Sequence, residues 1–518
     1  MTHVVVLGAG IAGVPAAYAL KSRLGSQDKV TVVSDRDYFH FVPSNPWVAM
    51  GWRDPADIAF PIEPYLNERG IQFVRSALKS LAPERNQVAL ENGQTLDYDF
   101  LLIATGVEGD FAGIPGLAAH TQSVLNLDQA ERALAAYKDF VKKPGPIVIG
   151  AAQGSSILGP VYEYAFLVDA DLKRRNIRGR VPITLVTPEP WPGHLGLGAS
   201  GGPNREAVEA ALADNNIRII ANARTLKIEP DAIHIAELDE AGNEKLRHAL
   251  PFAYSVYWPA FRGAAGVRDA RALVNEKGLV EVDEHMRSRD FANVYATGTC
   301  VAHGMVDRTP LDVGAPDSVY SIQKETETAV GNILASLRGE SLSSNIPQRA
   351  RWLADMGETG AAYVSGPQVP LRDINWMRQG RWVHLAKVDF EKYFINRIRL
   401  KPITQAPSAA SRIADIMSLI LAQKLESQST IAGAAQLGAK LLELHVDKDT
   451  HFELRALAKS LGRDPALLAS ELMSAAIVEA KSYLSEPAVD ALELARRELL
   501  VAELPERQPG VEFHGGGT

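Results

Sequence analysis

Cysteine is almost absent from this chain of 518 residues, in which Cys300 carries the single thiol. One thiol cannot form a disulfide within the chain, and any mechanism that needs two thiols in one subunit is excluded. The composition is otherwise ordinary for a globular protein, with 46% hydrophobic and 22% charged residues. The length predicts two or three domains.

Other features are also missing, and each limits the function. No block of Lys and Arg stands out, and the formal net charge is −8, so nucleic-acid binding has no electrostatic support. No uninterrupted apolar run reaches the roughly 18 residues of a membrane-spanning helix. A signal peptide is not recognisable at the N-terminus. We therefore expect a cytoplasmic protein, for which peripheral contact with the inner face of the membrane stays open.

A glycine-rich turn close to the N-terminus is the clearest motif. The apolar run 4–7 predicts a strand that stops at Gly8, and Gly10 and Gly13 complete the pattern G-x-G-x-x-G before a predicted helix at 14–20. In such a turn the first glycine allows the bend, the second lets the backbone approach a pyrophosphate, and the third lets helix and strand pack closely. The helix N-terminus then faces the phosphates.

The residues after this turn complete a nucleotide-binding unit. A second predicted strand, 29–33, ends at Ser34 and Asp35. Asp35 lies about 20 residues past the last glycine, where an acidic side chain bonds a ribose hydroxyl.

Two related A-T-G signatures indicate where the chain crosses between domains. A buried strand ends at Thr105 and Gly106, and a similar strand ends at Gly298. Such pairs are typical of flavoproteins with two dinucleotide-binding domains. We predict the following division: a discontinuous FAD-binding domain at 1–106 and 294–345, a second dinucleotide-binding-like domain at 107–293, a flavin- and quinone-capping segment at 346–401, and a helical tail domain at 402–518.

The second domain departs from the nucleotide-binding pattern. Its first strand leads into Gly150 and Gly154, but the spacing is wrong for G-x-G-x-x-G and the turn is too long. A nicotinamide dinucleotide site is therefore doubtful there. Residues 350–400 are predicted as mixed strands and turns, and the Ala/Leu/Glu-rich segment after residue 402 as helices. In that tail His445, Asp447 and His451 straddle a predicted helix junction, so we predict no metal site.

About 400 residues resemble the sulfide:quinone oxidoreductases, relatives of flavocytochrome c sulfide dehydrogenase and of type II NADH dehydrogenases. The resemblance rests on several long matches: Tyr38-Phe39 with 41–47, Gly159-Pro160 with 162–164, and the segments 193–196, 354–357 and 382–394. It implies an α/β fold with two Rossmann-like domains, to which this chain adds an all-helical C-terminal appendage. It also implies FAD, with a quinone pocket on the far face of the flavin.

The family oxidises sulfide with paired cysteines, and this chain lacks them. By resemblance the cysteine next to the flavin falls on Ile157, its partner on Trp352 and a third near Leu125, while a histidine is replaced by Gln129. A thiolate is the nucleophile that this chemistry requires. Sulfide oxidation by the family mechanism is therefore not expected. Cys300 is either a small buried side chain or a single thiol in contact with the flavin.

The resemblance implies roles for the remaining site residues. Glu163 would relay protons at the flavin edge, His194 would carry protons, and Lys387 would lie near the flavin and quinone carbonyls. The quinone ring would lie among Phe41, Phe390 and Phe394. The FAD contacts would be Gly8, Gly10, Gly13, Ser34, Asp35, Ala77, Thr105, Gly106, Gly298, Gly314 and Lys387. Purely structural roles stay open for each of these polar and aromatic side chains, including pairing of Lys387 with Asp389 or Glu391 at the surface.

Three functions follow from the sequence. The first is an FAD-dependent, quinone-linked oxidoreductase with an unknown electron donor and without the cysteine mechanism. The second is an NAD(P)H:quinone reductase, which the broken second glycine motif disfavours. The third is a flavin-binding structural or regulatory subunit. The tail is expected to support homo-oligomerisation or docking.

Overall fold

A computed structural model of the protein describes residues 1–196, 202–304, 308–314, 317–344, 350–365 and 375–400. The chain divides into two compact units, Met1–Thr404 and Gln405–Thr518. The predicted helical tail at 402–518 lies outside the described residues.

The first unit contains both helices and strands. Its helices are α1 (Gly13–Arg23), α2 (Asn45–Ala49), α3 (Pro55–Ile58), α4 (Glu63–Asn67), α5 (Leu117–His120), α6 (Leu127–Lys142), α7 (Gly159–Arg174), α8 (Gly202–Asp214), α9 (Val319–Arg338) and α10 (Arg381–Arg399). The strands of its N-terminal part are β1 (His3–Leu7), β2 (Lys29–Ser34), β3 (Tyr38–His40), β4 (Ala59–Pro61), β5 (Gln72–Arg75), β6 (Leu78–Ala82), β7 (Gln87–Leu90), β8 (Thr95–Asp97), β9 (Phe100–Ile103) and β10 (Val107–Asp110).

The remaining strands follow in chain order. They are β11 (Ile147–Ala151), β12 (Ile183–Val186), β13 (Ile217–Ile220), β14 (Ala223–Ile228), β15 (Ala232–Leu238), β16 (Glu244–Pro251), β17 (Tyr254–Trp258), β18 (Ala260–Gly263), β19 (Val294–Ala296), β20 (Ala350–Asp355), β21 (Gly360–Ser365) and β22 (Asn375–Gly380).

The first sheet is parallel and has the order β19-β9-β1-β2-β5. Its central strand β1 is buried on both faces, as the continuous apolar run Val4 to Leu7 requires, with each side chain at most 1% exposed. Helices α1 and α9 pack against each other beside this sheet. Strand β19, far along the chain, returns to pair with β9, so the first sheet is built from both ends of the unit.

The second sheet is also parallel, with the order β13-β12-β11-β17. An antiparallel sheet β14-β15-β16 and the pair β10 and β18 accompany it. Two parallel sheets with helices on their faces are the doubly wound arrangement that the sequence predicted, and the fold class is confirmed for the described residues. The predicted domain boundaries stay a prediction.

The C-terminal part of the unit is an antiparallel sheet, β20-β21-β22, followed by α10. The prediction of mixed strands and turns for 350–400 is wrong for its second half, which is the 19-residue helix α10. The apolar side chains of Val383, Phe390 and Phe394 repeat at spacings of seven and four residues, a helical period that was visible in the sequence. Tyr18 of α1 donates a hydrogen bond to the carbonyl oxygen of Ile398, 3.1 Å away, which ties α10 to the first domain.

Candidate functional site

The turn between β1 and α1 has the geometry of a nucleotide cradle. Gly8 has φ +108°, and a Cβ at this position would lie 2.3 Å from the carbonyl oxygen of Ala104. A Cβ on Gly13 would lie 1.9 Å from the carbonyl oxygen of Gly8. A Cβ on Gly10 would meet nothing within 4 Å. Gly8 and Gly13 are therefore required by the close approach of the backbone, whereas Gly10 faces open space.

The surroundings of this turn fit an anionic cofactor. Helix α1 begins without a side-chain cap, and the positive end of its dipole at this turn favours a phosphate group. At the end of β2, Ser34 accepts a hydrogen bond from the backbone N–H of Arg36 (3.2 Å), and Asp35 is exposed. Ala77, just past β5, is exposed as well. Contacts of these residues with the pyrophosphate and ribose groups of FAD stay a prediction.

The two crossing points lie side by side. Gly106 and Gly298 both adopt positive φ values, +70° and +79°. A Cβ on Gly106 would lie 3.5 Å from Oγ1 of Thr299, in ordinary contact, which places Thr105-Gly106 next to the second crossing. Gly314 lies elsewhere, with the position of its missing Cβ 2.8 Å from the Cβ of Ser156. This close contact leaves no room for a side chain at position 314, which explains the glycine. A role of Gly314 in FAD binding stays a prediction.

Cys300 lies beneath the second crossing and is 1% exposed. Its Sγ donates to the carbonyl oxygens of Ile103 (3.4 Å) and Thr297 (3.3 Å). Burial raises the pKa of the Cys300 thiol to about 12, and hydrogen bonds from neighbouring backbone N–H groups offset only part of that rise. Because the thiolate is the reactive form, these features favour the small buried side chain over the reactive thiol.

A buried ion pair joins Glu163 of α7 to Lys387 of α10. The two side chains are 3% and 9% exposed. Burial raises the pKa of the Glu163 carboxyl to about 7, and the Lys387 ammonium offsets part of that rise. The sequence left open a pairing of Lys387 with Asp389 or Glu391 at the surface, but the structure pairs it with Glu163, which lies on another helix 224 positions away.

The ion pair is surrounded by a polar network. Asp355, fully buried at the end of β20, accepts hydrogen bonds from Trp47 Nε1 (2.6 Å) and from the backbone N–H of Gly357 (3.0 Å). His384 Nδ1 lies 2.9 Å from Oδ1 of the same carboxylate, the oxygen that also accepts from Gly357. The Lys387 ammonium lies 5.0 Å from the ring centroid of Trp47. Asp355 thereby fixes Trp47, and Trp47 covers the ion pair.

A second set of contacts fixes the outer side of Trp47. The Arg53 guanidinium lies 4.4 Å from the Trp47 ring centroid and pairs with Glu391 at 2.8 Å. Ser44 donates a hydrogen bond to the same carboxylate. Asp355, His384 and Glu391 were missed by sequence reasoning, since their partners are remote in the chain. The helical spacing of His384, Lys387 and Glu391 was the available signal.

The three predicted quinone-pocket residues lie together. Phe41 contacts Phe390 and Phe394 with ring centroids 6.1 and 5.3 Å apart, and Phe390 and Phe394 are separated by 6.1 Å. Phe41 and Phe394 are buried, whereas Phe390 is half-buried. Phe390 and Phe394 lie on α10 three and seven residues after Lys387, on the same side of the helix as its ammonium. Their role in quinone binding stays a prediction.

His194 lies in the loop that follows β12 and is 2% exposed. Its Nδ1 accepts a hydrogen bond from the backbone N–H of Gly196 (3.2 Å), and its ring meets Trp191 edge-on at 4.7 Å. Tyr162 donates to Glu189 at 2.5 Å and accepts from the backbone N–H of Gly193 at 3.0 Å, which links this loop to α7. The structure thus places His194 in a rigid loop, and its role as a proton carrier stays a prediction.

Other residue types occupy the positions at which the resemblance led us to expect cysteines and a histidine. Ile157 is half-buried and packs against the main core, in the turn before α7. Gln129 accepts a hydrogen bond from the backbone N–H of Leu125 (3.1 Å), so these two residues stabilise the start of α6. Trp352 lies on β20. None of these three residue types is a thiol.

Comparisons with known proteins agree with this geometry. The model of the pyridine nucleotide-disulphide oxidoreductase family matches residues 2–325. A sulfide-quinone reductase of Aquifex aeolicus is 33% identical over 416 residues, covering 80% of this chain and 94% of that protein. The X-ray structure of the sulfide:quinone oxidoreductase from the same organism superimposes with a TM-score of 0.72 over 77% of this chain and 92% of that one.

A more distant likeness supports the fold alone. NDH2 of Plasmodium falciparum, solved in complex with NADH, superimposes with a TM-score of 0.57 at 15% identity, covering 82% of this chain and 98% of that one. No described helix has the length and hydropathy to cross a bilayer.

Fold and glycine cradle together define a flavoprotein oxidoreductase with FAD as its cofactor. Within the pyridine nucleotide-disulphide oxidoreductases, the chain belongs to the family of the sulfide-quinone reductases.

Proposed function

We propose that the chain is an FAD-dependent oxidoreductase that passes electrons to a quinone without the paired-cysteine oxidation of sulfide. The observation that carries the proposal is the buried pair of Glu163 and Lys387, with Trp47 above it and an aromatic cluster beside it. FAD supplies the two-electron chemistry. The chain's own residues bind the quinone ring, stabilise its developing negative charge and deliver protons.

Lys387 suits the first of these tasks. Its ammonium lies in a site with little solvent, where a cation stabilises a developing quinone oxyanion more strongly than it would in water. The Glu163 carboxylate holds the ammonium in place. Removing the positive charge should therefore slow electron transfer to quinone without loosening FAD.

Glu163 suits the second task. Reduction of a quinone to a quinol takes up two electrons and two protons. With a pKa of about 7, the Glu163 carboxyl can both hold and release a proton near neutral pH. The same carboxyl would be an ionised spectator if it lay at the surface. Its burial against Lys387 is what makes it a proton relay.

The outer surface near the aromatic cluster supports delivery of a lipid-soluble quinone from a membrane. Val42 follows Phe41 in the chain and is 43% exposed, and α10 leaves Leu385 (40%) and Tyr393 (43%) exposed. Leu400, at the end of the helix, is 65% exposed. Exposed apolar side chains on α10 and in the segment after Phe41 favour peripheral membrane contact. Flotation with liposomes, compared between the unchanged protein and Leu385→Asp, tests this part.

The electron donor is not sulfide handled by paired thiols, because the chain has one cysteine and that thiol is buried and protonated. A donor that carries its own thiol, or a protein, fits the site. Anaerobic mixing of the oxidised protein with sulfide should leave the flavin absorbance near 450 nm unbleached on the time scale of turnover. Rapid bleaching by sulfide would contradict the absence of the cysteine mechanism.

The role of Lys387 is tested with Lys387→Met. We expect reoxidation of the reduced flavin by a short-chain ubiquinone to slow by about 100-fold, since one preorganised electrostatic contact is worth that much. Lys173→Met removes a half-exposed ammonium that pairs with the buried Asp169, and it serves as the matched control. Equal reoxidation rates in both variants and the unchanged protein would remove Lys387 from the mechanism.

A further inference from the structure

A second group of titratable side chains lies outside the site described above. His303 follows the second crossing, Asp317 precedes α9, and Glu325 lies in the second turn of that helix. His303 Nε2 lies 3.3 Å from Asp317 Oδ1 and 3.3 Å from Glu325 Oε1. One atom from each of the three side chains falls within 4.8 Å of the other two. Three ligand atoms of metal-binding type therefore converge on one point.

The distances suit shared coordination better than direct pairing. His303 Nε2 is buried and has no hydrogen-bond partner, although two carboxylate oxygens lie close to it. Ligand atoms about 2.0–2.1 Å from a tetrahedral metal lie about 3.3–3.4 Å apart. The two measured N···O distances match this value. The imidazole nitrogen is placed as a ligand beside two other ligands, rather than as a donor aimed at either oxygen.

Charge and burial point the same way. The side chains of Asp317 and Glu325 are 7% and 3% exposed, and burial raises the pKa of both carboxyl groups, that of Glu325 to about 7. Two carboxylates buried this close together are costly to ionise unless a cation compensates their charge. A divalent cation would do so. His303 is 25% exposed, which provides a path from solvent.

A hydrogen bond from the backbone also orients the carboxylate of Glu325. Its second oxygen, Oε2, accepts a hydrogen bond from the backbone N–H of Gly298 at 3.1 Å. Helix α9 begins at a capping box formed by Ser318 and Ser321, which fixes the helix end that follows Asp317. Metal ligands are held in this way by outer hydrogen bonds.

We propose that His303, Asp317 and Glu325 bind one divalent first-row transition-metal ion, next to the turn at Gly298. One imidazole nitrogen and two carboxylate oxygens form a borderline donor set, which favours Zn²⁺, Fe²⁺ or Mn²⁺ over the harder Mg²⁺. Three protein ligands leave a fourth position for water. The ion would tie the end of β19 to the start of α9. This proposal does not depend on the function proposed above.

The test uses the full-length, FAD-bound protein after treatment with EDTA and gel filtration. Titration with Zn²⁺, followed by calorimetry and elemental analysis, should give one bound ion per chain. Mn²⁺ serves as a second probe, read by electron paramagnetic resonance. Glu325→Gln keeps an acceptor for the N–H of Gly298 while removing the ligand charge. We expect His303→Gln and Glu325→Gln to weaken Zn²⁺ binding by about 100-fold or more.

Two controls exclude other ligands. Cys300→Ser removes the single thiol, and a double variant, His445→Gln with His451→Gln, removes the imidazoles of the tail. Both should retain one Zn²⁺ per chain at unchanged affinity. Failure of the unchanged protein to retain either metal stoichiometrically would overturn the proposal, as would binding that is lost in a control and kept in His303→Gln. The triad would then be a buried ion-pair cluster.

Discussion

The protein has two comparable strand-to-helix turns, one after β1 and one after β11, and they differ in length and in packing. In the first, α1 begins at Gly13, five residues after Gly8, and Gly10 faces open space. In the second, α7 begins at Gly159, nine residues after Gly150. A longer turn moves the helix N-terminus away from the strand end where a pyrophosphate would lie.

Side chains from neighbouring strands also pack against the second turn. A Cβ on Gly150 would lie 2.4 Å from the ring of Tyr257, which occupies the space beside the strand. The side-chain amide of Gln153 accepts from the backbone N–H of Thr225 (3.0 Å) and donates to its carbonyl oxygen (3.1 Å). Gly10 leaves room for a nucleotide beside the first turn, whereas Tyr257 and Gln153 pack around the second. Its helix instead carries Glu163 to Lys387.

Alanine substitutions in the first turn should give the largest effects. Gly13→Ala places a methyl group 1.9 Å from a carbonyl oxygen, so we expect loss of bound FAD and of folded protein. Gly10→Ala meets no protein atom, so the FAD-free protein should keep its melting temperature, but it should bind FAD at least about tenfold more weakly. Flavin content and thermal unfolding measure both. Full flavin occupancy in Gly10→Ala would show that this glycine does not face the cofactor.

Reduction by NADH tests the second turn directly. Because the second turn is long and Tyr257 packs against its strand, we expect anaerobic NADH to leave the flavin oxidised, with an absorbance near 450 nm equal to that of a buffer control. A dithionite-treated sample shows the fully bleached signal. Stoichiometric bleaching by NADH would break the comparison between the turns and establish the nicotinamide-dependent alternative.

The pH dependence of quinone reduction tests the role of Glu163, which lies on α7. Glu163 donates protons only in its acidic form, so flavin reoxidation should be fast below its pKa of about 7 and fall as the pH rises above it. Glu163→Gln should lower the rate by about 100-fold and remove the inflection near pH 7. An unchanged inflection in this variant would assign the titration to another group. Glu206→Gln, which changes an exposed carboxyl of α8, is the control.

The smallest effect is expected within the packing of the second turn. Tyr257 shares a buried hydrogen bond with Thr225, with 2.7 Å between the two oxygens. Tyr257→Phe should lower the free energy of unfolding by about 1 kcal/mol and leave flavin content and quinone reduction unchanged. Chemical denaturation measures this difference. A large loss of activity would mean that the second turn takes part in catalysis after all.

The fold was predictable where the pattern was local. The apolar strand β1, its glycine turn and the recurrence of A-T-G all lie within short stretches, and these sufficed to predict FAD and a two-domain α/β fold. The helix α10 was mispredicted although its apolar period is visible, because His384, Lys387 and Glu391 lie between the apolar positions. Lys387 and Glu391 are buried, and partners from remote segments satisfy all three polar side chains.

The partners themselves were beyond the reach of the sequence. Glu163 and Lys387 were both singled out, but nothing local shows that they pair over 224 positions. The same holds for His303, Asp317 and Glu325, whose spacing matches no metal-binding motif and which only the packing of α9 against the second crossing brings together. Side-chain clusters formed by long-range packing leave no periodic signal.

Reoxidation of the reduced flavin by a quinone shows whether the protein passes electrons to quinone. The flavin of the purified protein is reduced anaerobically by light, so that no assumption about the donor is needed, and is then mixed with a short-chain ubiquinone in a stopped-flow instrument. The account predicts stoichiometric reoxidation, one quinone per flavin, that is fast in the unchanged protein and slowed about 100-fold in Lys387→Met. Flavin that stays reduced in the presence of quinone would contradict it.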